Sequence, residues 1–79
     1  MPSTTLDDLR EFVRGLATRP DFGDDDQLFD TGIIQSLHML ELFGFIEDRF
    51  HVPITPADVF DGHFTSVARM AAFVDAARR

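Results

Sequence analysis

The chain contains no cysteine, no tryptophan and no tyrosine. Without cysteine there is neither a disulfide framework nor a thiolate metal site, and nothing points to an oxidising compartment. A domain without such staples must rest on packing alone. Without Trp and Tyr, the large rings come from nine Phe, which lack a polar handle and suit the space between helices. Basic residues are scarce: 7 Lys and Arg stand against 14 Asp and Glu, a net charge of −7. That excludes a basic surface able to displace phosphate counterions, so nucleic acid is not an expected partner. Anionic membrane surfaces are disfavoured for the same reason. Long apolar runs are missing too, and MPSTTLDDLR has no apolar leader core, so a cytoplasmic, non-membrane protein is expected.

What is present fits one domain over residues 1–79, too short for a large enclosed active-site cavity and expected to be a monomer. Apolar residues make up 44% of the chain, enough for a packed core. The acidic surface either keeps a small domain in solution or steers it towards a protein partner with a basic patch.

Spacing predicts four helices and no strand. The first runs from about Thr5 to Thr18, with Leu6, Leu9, Val13 and Leu16 at intervals of three and four and Phe12 beside them. Thr4 or Thr5 can cap it, Asp7, Asp8 and Glu11 suit its positive end, and Pro20 stops it. A connection from about Arg19 to Gln35 follows. Loops this long are uncommon unless functional or disordered, and Phe22, Leu28, Phe29, Ile33 and Ile34 would pin this one to the bundle.

The second helix is expected from Ser36 to about Phe50, with Met39, Leu42, Phe43, Ile46 and Phe50 inward. Leu37, Leu40 and Phe45 do not all fit that stripe, which is either unusually wide or leaves some of them exposed for a partner. Gly44 inside a helix costs roughly 1 kcal/mol against Ala and suggests a close helix approach. Thr55-Pro56-Ala57-Asp58 reads as the capped start of a short third helix that ends before Gly62. The last helix starts near Thr65 or Ser66, with Val67, Met70, Ala71 and Val74 inward and Arg78 and Arg79 at its negative end.

The segment Leu28-Phe29-Asp30-Thr31-Gly32-Ile33-Ile34-Gln35-Ser36-Leu37-His38-Met39-Leu40-Glu41-Leu42 carries the most information. It brings a serine from a glycine-containing, apolar-anchored loop to the start of an amphipathic helix, where backbone N–H groups and the positive dipole end converge. A phosphodiester there would gain roughly 0.3–1 kcal/mol.

The segment resembles the attachment site of acyl carrier proteins, written D-x-G-x-x-D-S-L with E-L a few residues on. Here it reads Asp30-Thr31-Gly32-Ile33-Ile34-Gln35-Ser36-Leu37, then Glu41-Leu42. Helix order, length and acidity extend the resemblance along nearly the whole chain. It implies an all-α four-helix bundle of acyl-carrier type, with a long loop between helices one and two and a short helix three. It also implies a 4'-phosphopantetheine arm on Ser36, transferred from coenzyme A by a magnesium-dependent phosphopantetheinyl transferase. The arm's thiol would hold acyl or aminoacyl cargo as thioesters, which accords with the missing cysteine.

The chain itself would be a non-catalytic carrier. It would be served by a loading ligase or acyltransferase and a downstream synthase or transferase. Asp30, Gly32, Gln35 and Leu37 frame the attachment site. Leu37, Leu40, Glu41, Glu47 and Asp48 are the docking candidates, with Met39 nearer the cargo. One departure stands out: Gln35 replaces the family's usual Asp. It either weakens recognition by common transferases or marks a different partner set. The segment also lacks the G-G-x-S of modular peptidyl carriers and looks closer to discrete acyl or aminoacyl carriers. With His38 and the extra Phe, a specialised secondary-metabolite pathway, of polyketide or nonribosomal type, is expected rather than housekeeping fatty acid synthesis.

The same residues admit other readings. Ser36 could be a plain N-cap, and Ser66, without the glycine loop or the E-L pair, is read as a cap only. His38 lies two positions from Ser36 and cannot face it as a base on a helix. His51 and His63 are isolated. An EF-hand starting at Asp24 would need an oxygen ligand at Leu28 and glycine at Phe29, so Asp24-Asp25-Asp26 is read as solvated loop and no metal is expected. The rival from another class is an acidic helical adaptor that never receives an arm and uses helix two as its docking face.

Overall fold

The computed structural model describes residues 5–19 and 21–78, with Ser36 described by its backbone alone. Four α-helices follow in order: α1 (Thr5–Leu16), α2 (Met39–Phe50), α3 (Pro56–Phe60) and α4 (Val67–Ala77), with a single 3-10 turn over Ser36–His38 leading into α2. All regular structure among the described residues is helical, as the spacing predicts. The molecule measures 33 × 32 × 19 Å, its thin dimension matching about two helix layers.

The core forms where the predicted stripes converge. Leu9 and Val13 from α1, Leu42, Ile46 and Phe50 from α2, and Val67, Met70, Ala71 and Val74 from α4 are buried in one cluster. α1 packs most closely along α4, and the Thr5 hydroxyl donates to Asp75 across that pair at 2.8 Å. Thr5 is therefore tied to α4 as a helical residue, while Thr4, Pro20 and Arg79 lie outside the described residues. α1 ends at Leu16, two residues before the expected boundary; the Ala17 amide still donates to the Val13 carbonyl, and the Thr18 amide donates to the Ile33 carbonyl in the long loop, each at 2.8 Å.

The 18–35 loop behaves as a folded element. Leu28, Ile33 and Ile34 are fully buried, and Phe22 and Phe29 pack against the core. Two backbone bonds lock the loop to other parts of the chain: Leu28 N–H to the Thr65 carbonyl at 2.8 Å, and Ala68 N–H to the Asp24 carbonyl at 2.9 Å. The Arg10 guanidinium grips the Asp24 carboxylate with two hydrogen bonds, at 2.8 and 2.7 Å. That hydrogen bonding holds the Asp24 carboxyl below its ordinary value, against a smaller opposing effect of desolvation. Asp26 accepts from the Gly23 amide at 2.8 Å. Two residues of the acidic run, Asp24 and Asp26, thus have structural partners.

α3 starts as its sequence indicates. The Thr55 hydroxyl accepts from the Asp58 amide, the Asp58 carboxylate accepts from the Thr55 amide at 2.9 Å, and Pro56 takes the first turn. Ser66 caps α4, its hydroxyl accepting from the Arg69 amide at 3.2 Å. α2 ends in His51, held left-handed at φ 58° with its amide bonded to the Glu47 carbonyl.

Candidate functional site

The site is built where the loop meets α2. Gly32 adopts φ 76°, a left-handed conformation that a Cβ would strain, and turns the chain towards the helix. Around it, Gly32 N–H donates to the Phe29 carbonyl at 3.2 Å and Ile34 N–H to the Leu28 carbonyl at 3.0 Å. The Thr18 hydroxyl donates to the Gly32 carbonyl at 3.0 Å. With Ile33 and Ile34 buried immediately before it, the backbone reaching Ser36 has little freedom left.

Ser36 opens the 3-10 turn, closed by His38 N–H on the Gln35 carbonyl at 2.9 Å. The α-helix proper begins at Met39, three residues later than expected. A tightened first turn is a common way to start a helix, and here His38 holds the N-cap position with no side-chain cap bond. The Nδ1 atom of His38 is buried without a partner among the described residues, so this imidazole is turned inwards. On either side of Ser36, Gln35 and Leu37 are exposed, Leu37 at 69%, and Asp30 is exposed in the preceding turn. The backbone thus runs along the surface at this point. The Ser36 side chain itself lies outside the described atoms.

The outer side of α2 continues that surface. Leu40 is 81% exposed, and Glu41, Gly44, Glu47 and Asp48 are all exposed. Leu37, Leu40, Glu41, Glu47 and Asp48, singled out from sequence, are thereby brought onto one side of the molecule. Glu47 has a second commitment, since its carboxylate accepts from the Ile54 amide at 3.3 Å. Phe45 is not left over for a partner. Its ring stacks on Phe12 at 4.1 Å and meets Phe50 edge-on at 5.9 Å. Met39 is half-buried. The close helix approach expected at Gly44 is absent; a Cβ there would meet nothing within 4 Å.

One exposed residue escapes the sequence reading. Phe60, at the end of α3, is 89% exposed and borders an open apolar groove of about 350 Å3, lined by Phe43, Ile54, Thr55, Pro56 and Val59. No periodicity exists over a five-residue helix from which its direction could be read. The groove has no charged lining, and the hydroxyl of Thr55 donates to Asp58 at 3.0 Å. His63 stacks on Phe73 at 5.0 Å, a packing role. Among the described residues, no helix is long and apolar enough to cross a membrane.

The comparison with curated proteins gives no match. A family sequence model described as "phosphopantetheine attachment site" matches residues 7–74, from the first turn of α1 almost to the end of α4.

Proposed function

The chain belongs to the phosphopantetheine attachment-site family, whose domains hold 4'-phosphopantetheine covalently, and on that premise we propose that Ser36 is the residue that bears the arm. The observation that carries this reading is the delivery of the Asp30–Leu37 motif to the protein surface. Buried Ile33 and Ile34 and the left-handed turn at Gly32 fix the backbone, and exposed Gln35 and Leu37 flank the serine. Proteins of this family are carriers that meet phosphopantetheinyl transferases and further enzymes. The bound arm supplies a terminal thiol on which cargo travels as a thioester.

Each part of the chain then has a task. The loop positions the attachment point. The 3-10 turn and α2 direct their positive end towards it, where a phosphodiester is favoured by about 0.3–1 kcal/mol. The outer side of α2, with Leu37, Leu40, Glu41, Glu47 and Asp48, meets partner enzymes, its carboxylates steering partners with basic surfaces. No catalytic group is assigned to the chain, and chemistry on the cargo falls to the loading ligase or acyltransferase and to the downstream synthase or transferase. Gln35 in place of Asp, and the absence of G-G-x-S, favour a discrete acyl or aminoacyl carrier in a specialised biosynthetic pathway of polyketide or nonribosomal type, working in the cytoplasm as a monomer.

Incubation with coenzyme A, magnesium and a broad-specificity transferase should raise the intact mass by one phosphopantetheine. An unchanged mass would leave the adaptor reading standing instead. Docking is tested with Glu41→Lys, chosen because Glu47 also bonds the Ile54 amide and its reversal would disturb the fold. Transfer to a partner should slow several-fold at low salt, and the difference should fade as salt screens the surface.

A further inference from the structure

Arg69 is a charge that the fold leaves unbalanced. The third residue is acidic in α1 (Asp7), α2 (Glu41) and α3 (Asp58), where the positive end of the helix dipole favours a carboxylate. In α4 that position holds Arg69, a cation at the unfavourable end, and the first turn has no acid. The other arginines of the described residues are engaged: Arg10, Arg14, Arg19 and Arg49 each face a carboxylate, and Arg78 lies over the Phe50 ring. Among the described residues, the exposed Arg69 guanidinium has no such partner, in a chain with 14 acids against 7 bases.

The same face carries an apolar groove. At about 100° per residue, Arg69, Ala72, Phe73 and Ala76 fall within an arc of about 100°, turned away from the core residues Met70, Ala71 and Val74. His63 stacks on Phe73 at 5.0 Å and completes, with Ala77, an open groove of about 420 Å3 that no carboxylate lines. The carboxylates nearest in sequence are already engaged, Asp61 with His63 at 4.0 Å and Asp75 with the Thr5 hydroxyl. Ala72 and Ala76 stand one turn apart and exposed, so a second helix can approach to about 8 Å between axes.

We propose that this face of α4 is a second interaction surface, fitted by an amphipathic helix of a partner protein. Apolar side chains of that helix fill the groove beside Ala72, Phe73 and Ala76, and an Asp or Glu next to them meets Arg69. The occupant follows from charge and shape. An unpaired guanidinium selects a carboxylate, and small exposed residues at one-turn spacing admit a helix backbone. A second copy of this chain is disfavoured by the net charge of −7 that each would bring. The surface shares no residue with the attachment motif or the outer side of α2. It therefore goes beyond the carrier reading and stands whether or not Ser36 bears an arm.

The probe is a stapled peptide helix with Leu at one-turn spacing flanked by Glu, titrated into the full, unmodified chain and followed by amide shifts. Its twin carries Lys in place of Glu. The Glu helix should move the amides of Arg69, Ala72, Phe73 and Ala76, and the Lys helix should leave them in place. Arg69→Gln should raise Tm by about 2–5 °C by removing the misplaced charge, yet weaken binding of the Glu helix about threefold. Ala76→Gln, a good helix former entering the groove from an exposed site, should keep the fold and weaken binding about tenfold. A gain in stability with a loss of binding is a pair of results that a purely structural role does not give. Shifts confined to other faces, no shifts at all, or Arg69→Gln binding within about twofold of the unaltered chain overturns the surface. A dimer at sedimentation equilibrium that Ala76→Gln abolishes overturns the partner helix in favour of a second copy.

Discussion

Two helices in this molecule begin beside a serine, and they begin in different ways. At α4, Ser66 is 3% exposed and its hydroxyl accepts from the Arg69 amide, so the group is used up by the fold. At α2, the N-cap residue His38 makes no side-chain cap bond. The start is made from a 3-10 turn and one backbone bond, between buried Ile33 and Ile34 on one side and buried Leu42 on the other. A helix start that is held by packing needs no side-chain cap from its N-cap residue. That separation of support from chemistry is what an attachment point requires.

The comparison breaks first if packing is not what holds α2. Leu42→Ala should cost about 2–5 kcal/mol in urea unfolding, a large part of the stability of so small a domain, whereas Leu40→Ala, two residues away in sequence but solvent-facing, should stay within about 0.5 kcal/mol. Equal losses would mean that the two sides of α2 are not distinct. The serines come next. Ser66→Ala should cost about 0.5–2 kcal/mol by uncapping α4, and Ser36→Ala close to nothing, read by thermal melts of the unmodified chain.

The far end of α2 sharpens the contrast in the other direction. His51 is left-handed at φ 58°, so His51→Gly should stabilise by about 0.5–1 kcal/mol, the relief of strain partly offset by chain entropy. An unchanged or lower stability would show that the histidine ring repays its conformation.

The smallest effect concerns the loop that delivers Ser36. Because Arg10 depresses the folded-state value of Asp24, the unfolded chain binds the extra proton, and stability rises with pH through this range. The contribution is complete above the unfolded carboxylate value of about 3.9 and is lost as pH falls through the lower folded value. Asp24→Asn should therefore be less stable at pH 6 by about 1 kcal/mol or less, and the gap should close towards pH 3. A constant gap would place the Arg10–Asp24 bond outside the stability of the loop.

Much of this was legible from residues. The stripes in α1, α2 and α4, the Thr55 and Ser66 caps and the apolar anchors of the long loop all follow from local rules, because caps and spacings act over three or four positions. What escaped depends on neighbours that spacing does not specify. Periodicity gave Gly44 its angle around α2 without revealing that nothing stands opposite it. It likewise left open whether Leu40 or Phe45 would find a ring to stack on, and only Phe45 has Phe12 within reach. Arg10 and Asp24 meet across a loop whose path is set by its buried residues. Phe60 had no pattern to read. The attachment motif was visible because it is a local arrangement.

The most direct measurement follows the arm to a single residue. Ser36→Ala and Ser66→Ala are each treated with coenzyme A and transferase at a temperature where both are folded, then digested and mapped by mass spectrometry. The account predicts phosphopantetheine on the peptide containing Ser36 in Ser66→Ala, and none anywhere in Ser36→Ala. An arm recovered from Ser36→Ala, or missing from a folded Ser66→Ala, would contradict it.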